Sequence, residues 1–316
     1  MKRLLAVVLM TAALAAGADI VGAVRAACES RNFPLAEREI EAYRASAGVT
    51  PELLEAISWL ARGELDARQY DQAERYAAET RQLTLDLLKR GGQVPAPAGI
   101  ALGAAIEVHA QVLAARGPRS EAISFLKAEL ATWRQSSLAE RIQKNINLLT
   151  LVGNPAPALD ESHWIGPPPP SLASLKGHPV LLFFWAHWCP DCKAEVPILA
   201  RLMRTFKGLA LVAPTRLYGY TADGDATTEV ETRYIEQVKR QYYAPLAGMR
   251  VPLSSVNFDR YGCSTTPTLV LIDQHGIVRL YHPGAMSYDD LAQQITLVSG
   301  YSRSRLGAQR NSPKNG

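Results

Sequence analysis

The sequence predicts an all-α domain followed by an α/β domain, and three observations support this. The chain has 316 residues, enough for two domains of roughly 100–200 residues each. Between Pro34 and Leu151, apolar residues recur at the period of amphipathic helices. After Gly153, short apolar runs alternate with helical patterns, which is typical of a sheet that contains a parallel crossover.

Residues 1–18 have the pattern of an export signal. Lys2 and Arg3 precede the apolar run from Leu4 to Ala16, and small residues follow up to Ala18. We therefore expect the folded part to lie outside the cytoplasm, in the periplasm or elsewhere in the envelope, where disulfides persist. An uncleaved signal would instead leave the protein anchored in the membrane.

Residues 19–152 are predicted to form helical hairpins. The apolar set Leu53, Ile57 and Leu60 lies on one helical face, and Thr50-Pro51 has the pattern of a helix start. The stretch from Leu60 to Ala78 resembles a tetratricopeptide repeat, although the next similar hairpin follows at a longer spacing than that repeat uses. The apolar stripes indicate a core, and a binding surface for a protein partner is the alternative.

Residues 153–300 are predicted to form the α/β domain. The uniformly apolar run 180–185 indicates a buried central strand, and further strands are predicted at 209–213, 268–273 and 277–281. Helical patterns fall at about 191–206, 227–243 and 287–298. Residues 301–316 are predicted to be a disordered basic tail.

The formal net charge of +4 comes from the two ends of the chain. The tail holds four basic residues and no acid, and Lys2 and Arg3 add to them, so the residues between carry a small negative charge. This distribution gives no support to nucleic-acid binding.

The sequence Trp188-Cys189-Pro190-Asp191-Cys192 lies where the predicted central strand ends and a helix begins. Free amides and the helix dipole would favour a thiolate on Cys189, and Pro190 suits the first helical position. Cys192, one turn further, would be more buried and would resolve a mixed disulfide. A permanent structural disulfide and half of a zinc site are the alternatives.

The segment VLLFFWAHWCPDCKAEVP (180–197) resembles the active site of thioredoxin-fold proteins. The flanking GNPAPALD and YGCSTTPTLVLIDQHGIV resemble the exported TlpA/ResA branch, which are thiol–disulfide oxidoreductases of bacterial envelopes. The resemblance implies a thioredoxin-like fold over 153–300, with Cys189 as the attacking and Cys192 as the resolving cysteine. It also implies a cis peptide bond before Pro267, which would expose the Thr266 backbone to a substrate strand, and aromatic walls formed by Trp185 and Trp188.

The chain departs from thioredoxin at Phe183, where thioredoxin has a buried acid six residues before the first cysteine. A phenyl ring cannot accept a proton from Cys192, so another residue must supply the base. Glu229, Glu231 and Glu236 in the insertion 214–250 are the candidates.

Two further residues bear on the reactivity of Cys189. Asp191 should oppose thiolate formation and so make the couple a weak oxidant, nearer thioredoxin than DsbA. His187 would offset this effect if protonated, but we interpret it as a surface histidine without a role.

Cys263, four residues before Pro267, is interpreted as a buried core thiol. A disulfide to Cys28 and participation in the redox reaction are the alternatives.

Together these features predict an exported thiol–disulfide oxidoreductase that reduces disulfides in substrate proteins. It needs no diffusible cofactor, because the electrons travel on the redox-active Cys189–Cys192 pair. For the TlpA/ResA branch, the resemblance implies a membrane thiol reductase of the DsbD/CcdA type as electron donor. The alternative is a protein-binding helical scaffold on a catalytically silent thioredoxin-like domain. A peroxidase is disfavoured because Ala186 stands where a peroxiredoxin has threonine.

Overall fold

The computed structural model describes residues 19–91, 95–246 and 248–299. The predicted export signal at 1–18 and the predicted basic tail at 301–316 lie outside the described residues. The chain divides into two compact units, Met1–Leu138 and Ala139–Gly316.

The first unit is helical, as the sequence predicts. Helix α3 begins at the predicted cap, where the Thr50 hydroxyl accepts the Leu53 amide at 3.2 Å. Helix α5 is apolar and long enough to span a membrane, but much of it is buried in this unit. The helices are α1 Ile20–Glu29, α2 Phe33–Ala47, α3 Pro51–Asp66, α4 Tyr70–Lys89, α5 Ala96–Arg116 and α6 Arg119–Trp133.

The second unit alternates helices and strands. Its helices are α7 Ala139–Thr150, α8 Pro190–Thr205, α9 Thr228–Tyr242, α10 Ser255–Tyr261 and α11 Tyr288–Ser299. Its strands are β1 Trp164–Ile165, β2 Val180–Phe184, β3 Ala210–Val212, β4 Tyr220–Thr221, β5 Gly224–Asp225, β6 Val251–Pro252, β7 Thr268–Ile272 and β8 Val278–Pro283. The sequence did not predict α10 or the two-residue strands.

The main sheet has the order β3-β2-β7-β8. Strands β2 and β3 are parallel and are joined by α8, which is the predicted crossover, whereas β7 is antiparallel to both β2 and β8. All five residues of β2 are buried. Leu181 and Phe183 pack in the core that includes α8, whereas Val180, Leu182 and Phe184 pack in the core that includes α10. The uniformly apolar strand is thus covered on both faces.

The boundary between the units differs from the predicted one at residues 152 and 153, because α7 belongs to the second unit. The side-chain amide of Asn147 in α7 donates to the Arg260 carbonyl of α10 at 3.2 Å. Leu151, just after α7, is buried in the same core as β2. The helical periodicity of residues 139–150 gave the correct element but could not show which core the apolar face joins.

The contact between α7 and α10 predicts a large cost for the substitution Gly262→Ala. Gly262 ends α10 with φ +60°, and an added Cβ would lie 2.7 Å from the Cα of Lys144 in α7. We expect the free energy of unfolding to fall by at least about 2 kcal/mol, because the backbone strain of a left-handed alanine adds to the collision of its Cβ with α7.

The matched control is Gly276→Ala. Gly276 has φ +83°, but its added Cβ would meet only the Lys176 side chain at 3.9 Å. Its cost should be limited to the left-handed conformation, about 1 kcal/mol. Equal losses in urea unfolding of the two variants would contradict the packing of α7 on α10.

Candidate active site

The cysteine pair lies at the start of α8, immediately after the turn that follows β2. Cys189 is the N-terminal cap of α8, and its Sγ accepts the Cys192 amide at 3.0 Å. Pro190 occupies the first helical position, where its missing N–H leaves no backbone bond unmade. The exposed fractions of Cys189 and Cys192 are 2% and 0%. Cys192 is therefore the more buried of the two cysteines, as predicted, although their exposed fractions differ only slightly.

Cys189 and Cys192 are joined as a disulfide, with their Cα atoms 5.3 Å apart. This distance lies within the normal range for a disulfide, so the pair can close without moving the backbone. The sulfur atoms are thus placed for reversible oxidation at one end of the sheet.

The loop before β7 lies directly beside Cys189. The bond between Thr266 and Pro267 is cis, as the resemblance implied. The register of β7 against β2 pairs Thr268 with Phe184 and so brings this loop next to the turn that ends in Cys189. The Sγ atom of Cys189 lies 3.4 Å from the carbonyl oxygen of Thr266.

The remaining predicted site residues differ in exposure. Trp188 is 45% exposed and meets the Tyr218 ring edge to face at 5.5 Å. Asp191 is also exposed. Trp185, in contrast, is fully buried and donates its indole N–H to the Ala213 carbonyl at 3.0 Å. It therefore belongs to the core beneath the site and does not form its wall.

The three candidate carboxylates of the insertion lie in very different surroundings. Glu229 is exposed in the first turn of α9, and Glu236 forms an ion pair with Arg240 at the surface. Glu231 is 1% exposed, and its oxygens accept the backbone amides of Tyr218 at 2.6 Å and Gly219 at 2.8 Å. Burial thus separates Glu231 from the other two.

A fourth carboxylate, Glu195, was missed in the sequence. It follows Cys192 by three residues on α8 and is 2% exposed. Residues at this spacing share one helical face. Burial raises the pKa of Glu195 to about 6, and the Met286 amide, which donates to it at 3.4 Å, opposes this rise only weakly. The signal available in the sequence was an acid placed one turn after Cys192, on a helix face that is otherwise apolar.

The interpretation of His187 as a surface residue was wrong. Its exposed fraction is 1%, and its Nε2 atom lies 3.2 Å from Oε1 of Glu231. Burial lowers the pKa of His187, although Glu231 opposes the shift. The side chain turns inward because the insertion supplies a carboxylate that the sequence pattern around Cys189 could not reveal.

The other two cysteines, Cys28 and Cys263, are free thiols in the structure. Burial raises the pKa of Cys28 to about 11 and holds that of Cys263 well above its usual range. Both therefore remain protonated and poorly nucleophilic at neutral pH.

A cysteine pair at the start of the helix after a central strand, facing a cis-proline loop, defines the class of thioredoxin-fold dithiol proteins. In agreement, residues 171–299 match the model of the thioredoxin-like domain family.

The names of similar proteins indicate which group of thioredoxin-fold proteins this chain resembles. The thiol:disulfide interchange protein DsbE of Xylella fastidiosa is 30% identical over 152 residues, which cover 44% of this chain and 71% of that protein. The thioredoxin-like protein YneN of Bacillus subtilis is 27% identical over 133 residues, which cover 40% and 69%. Among solved structures, a putative thiol:disulfide interchange protein DsbE from Chlorobium tepidum gives a TM-score of 0.36 at 28% identity, covering 46% of this chain and 96% of its own. The chain therefore belongs to the TlpA/ResA-like thiol–disulfide oxidoreductases of the thioredoxin superfamily.

The buried carboxyl of Glu195 predicts that Glu195→Gln stabilises the protein in alkaline solution. The pKa of Glu195 is raised in the folded state, so its contribution to stability is greatest when it is protonated and is lost as pH rises through about 6. We expect the variant to have the larger free energy of unfolding at pH 8 and to approach the wild type near pH 4.

Urea unfolding at both pH values measures the difference. The control is Glu229→Gln, which neutralises an exposed acid of α9 and should give no gain at pH 8. A Glu195→Gln variant that is no more stable than wild type at pH 8 would contradict the burial of a charged carboxylate.

Proposed function

We propose that this oxidoreductase reduces disulfides in exported proteins through a mixed disulfide at Cys189. The observation that carries the proposal is the Cys189–Cys192 pair at the start of α8. The Cys189 thiolate attacks one sulfur of the substrate disulfide, and the other substrate sulfur leaves and takes up a proton. Cys192 then loses its proton and attacks Cys189, which releases the second substrate sulfur. The substrate gains two electrons, and the enzyme is left as the disulfide.

The Thr266 carbonyl is suited to hold the substrate beside Cys189. It lies 3.4 Å from the Cys189 sulfur, and the Thr266 side chain has a buried hydroxyl without a hydrogen-bond partner among the described residues. An extended substrate strand can donate a backbone N–H to such a carbonyl. The exposed ring of Trp188 would cover an apolar part of the same substrate.

Glu195 is the base that we assign to the resolving step. A carboxylate accepts the Cys192 proton only when it is ionised, and a pKa of about 6 leaves it ionised at neutral pH while keeping it basic enough to work. Its position one helical turn from Cys192 supports this role. Phe183, at the place of thioredoxin's buried acid, is fully buried in the core and has no group that could serve.

The oxidised enzyme must recover two electrons from a donor outside the described residues. We propose a membrane thiol reductase of the DsbD/CcdA type, which the resemblance implies. No diffusible cofactor is required, since a second dithiol exchange returns the pair to the reduced state. Export to the periplasm or envelope fits this cycle because substrate disulfides persist there.

We also propose that the helical unit binds a protein partner. The alternative function is a protein-binding scaffold whose thioredoxin-like domain has no redox activity. A reactive cysteine pair argues against a silent domain. The Cys189 sulfur lies at a helix start that favours a thiolate, whereas Cys28 and Cys263 are held as thiols by burial.

The first test is insulin reduction with dithiothreitol as electron donor. Cys189→Ser should abolish the activity, whereas Cys28→Ser, which alters a free thiol in the other unit, should keep it. Cys192→Ser should accumulate mixed disulfides with substrate, visible as larger species on non-reducing gels. If Cys189→Ser kept the wild-type activity, the proposed role of Cys189 would be contradicted and the scaffold function would be favoured.

The second test concerns Asp191 and the reduction potential. We expect the wild type to lie nearer thioredoxin, about −270 mV, than DsbA, about −120 mV. Asp191→Asn should raise the potential by about 10–20 mV, because an exposed charge beside the thiolate interacts only weakly.

Titration against glutathione measures both values. The control is Asp289→Asn, which removes an exposed acid from the first turn of α11 and should leave the potential unchanged. A wild-type midpoint as oxidising as that of DsbA would defeat the reductant assignment.

A further inference from the structure

Two buried polar side chains, His187 and Glu231, link the turn before Cys189 to the start of α9. Each is 1% exposed. Oε1 of Glu231 lies 3.2 Å from Nε2 of His187 and accepts the Tyr218 amide, while Oε2 accepts the Gly219 amide. One carboxyl group thus receives donors from two separate segments of the site.

The turn that contains His187 is short and fixed at both ends. Its Cys189 amide donates to the Ala186 carbonyl at 3.2 Å, and the Trp185 amide donates to Pro214 at 3.2 Å. The His187 side chain is buried in this turn and bonds to a distant carboxyl group, whereas the next side chain, Trp188, is exposed. Its hydrogen bond to Glu231 therefore restrains the position of Cys189 two residues later.

Aromatic rings pack around His187 and connect it with the exposed face of the site. His187 meets three tyrosines edge to face, with centroids 5.5, 5.4 and 5.3 Å away: Tyr218, Tyr220 and Tyr234. Tyr218 also meets Trp188 edge to face. The segment whose amides Glu231 holds therefore also touches the residue that immediately precedes Cys189.

We propose that His187 and Glu231 are a positioning pair that holds the Cys189 turn and the Tyr218–Gly219 segment in the arrangement required for thiol attack. This inference rests on the proposed role of Cys189 as the attacking thiolate. A purely structural role would explain the pair poorly, because well-packed apolar residues of similar volume often give equal or greater stability than a buried charged pair.

The pair also gives the site a dependence on pH. A carboxylate is an acceptor only, so Nε2 of His187 carries the proton between them, and Nδ1 has no hydrogen-bond partner among the described residues. Burial lowers the pKa of His187, which is thus neutral at pH 7. In acid, Nδ1 gains a proton, and the positive charge two residues from Cys189 favours its thiolate. The titratable or charged groups that face His187 are Glu231, Lys193, Tyr218, Tyr220 and Tyr234.

The experiment is the rate of iodoacetamide alkylation of Cys189 in the reduced full chain, followed by mass spectrometry from about pH 5 to 9. His187→Leu removes the donor at similar volume, and Glu231→Gln replaces one acceptor oxygen by a donor that opposes the bound amides. Both should slow alkylation at pH 7 by about ten- to a hundredfold, the scale of a misplaced reacting group.

His187→Gln is the conservative variant, since its amide keeps an N–H for Glu231 but cannot take up a proton. It should recover most of the wild-type alkylation rate at pH 7. It should lack the part of the wild-type pH profile that arises from protonation of His187 in acid. The matched control is Glu229→Gln, two residues before Glu231 on α9 but exposed, which should follow the wild type throughout.

The outcomes separate this inference from the proposed function. If wild-type Cys189 is inert, the attacking role fails and the positioning pair fails with it. If wild-type Cys189 reacts, and folded His187→Leu and His187→Gln both match its rate and pH profile, the positioning role alone is overturned. The two histidine variants decide the matter even if Glu231→Gln does not fold.

Discussion

The chemistry of this chain depends on the hydrogen bond that the Cys192 amide donates to the Cys189 sulfur at the start of α8. The sulfur occupies the position that a serine or aspartate oxygen takes in an ordinary helix cap. The unpaired amides and the helix dipole therefore act on an atom that can carry negative charge and attack a disulfide. Strand β2 makes this possible because it is apolar on both faces. Because β2 is buried, the position of its last residue is fixed. The turn that follows it therefore holds Cys189 at the start of α8. The Thr266 carbonyl completes the arrangement by placing a backbone acceptor beside the same sulfur.

Two buried carboxyl groups, Glu195 on α8 and Glu231 on α9, differ in their partners. Glu231 accepts two backbone amides and pairs with His187, so its oxygens are occupied. Glu195 has one long contact, from the Met286 amide, and burial accordingly raises its pKa to about 6. A carboxyl with several donors is suited to hold structure, whereas one with few donors is suited to exchange a proton near neutral pH. The surroundings of each group, and not its residue type, therefore determine which of the two is suited to anchoring and which to proton transfer.

The sequence predicted the parts of the fold that rest on local pattern. The apolar run of β2 and the parallel crossover through α8 are both present. The cis bond before Pro267, which the resemblance implied, is present as well. The errors concern residues whose role depends on distant partners. His187 is polar and lies next to an exposed tryptophan, so nothing local indicates that Glu231, 44 positions away, draws it inward. The same reason explains α7, whose periodicity predicts a helix but not the core it joins. Among three glutamates in one insertion, only burial in the folded chain distinguishes Glu231.

The insertion that holds Glu231 also carries the rings that border the site. Tyr218 touches both His187 and Trp188, and Tyr220 is 38% exposed. The ring that packs against Trp188 therefore belongs to the segment whose backbone amides Glu231 accepts. The thioredoxin-like sheet supplies the helix start at which Cys189 lies, and this alone is common to many proteins of different function. In this chain the insertion joins the exposed rings beside Trp188 to the turn that presents the sulfur. A change in the Tyr218–Gly219 segment must then also act on the turn that carries Cys189, because one carboxyl group holds both.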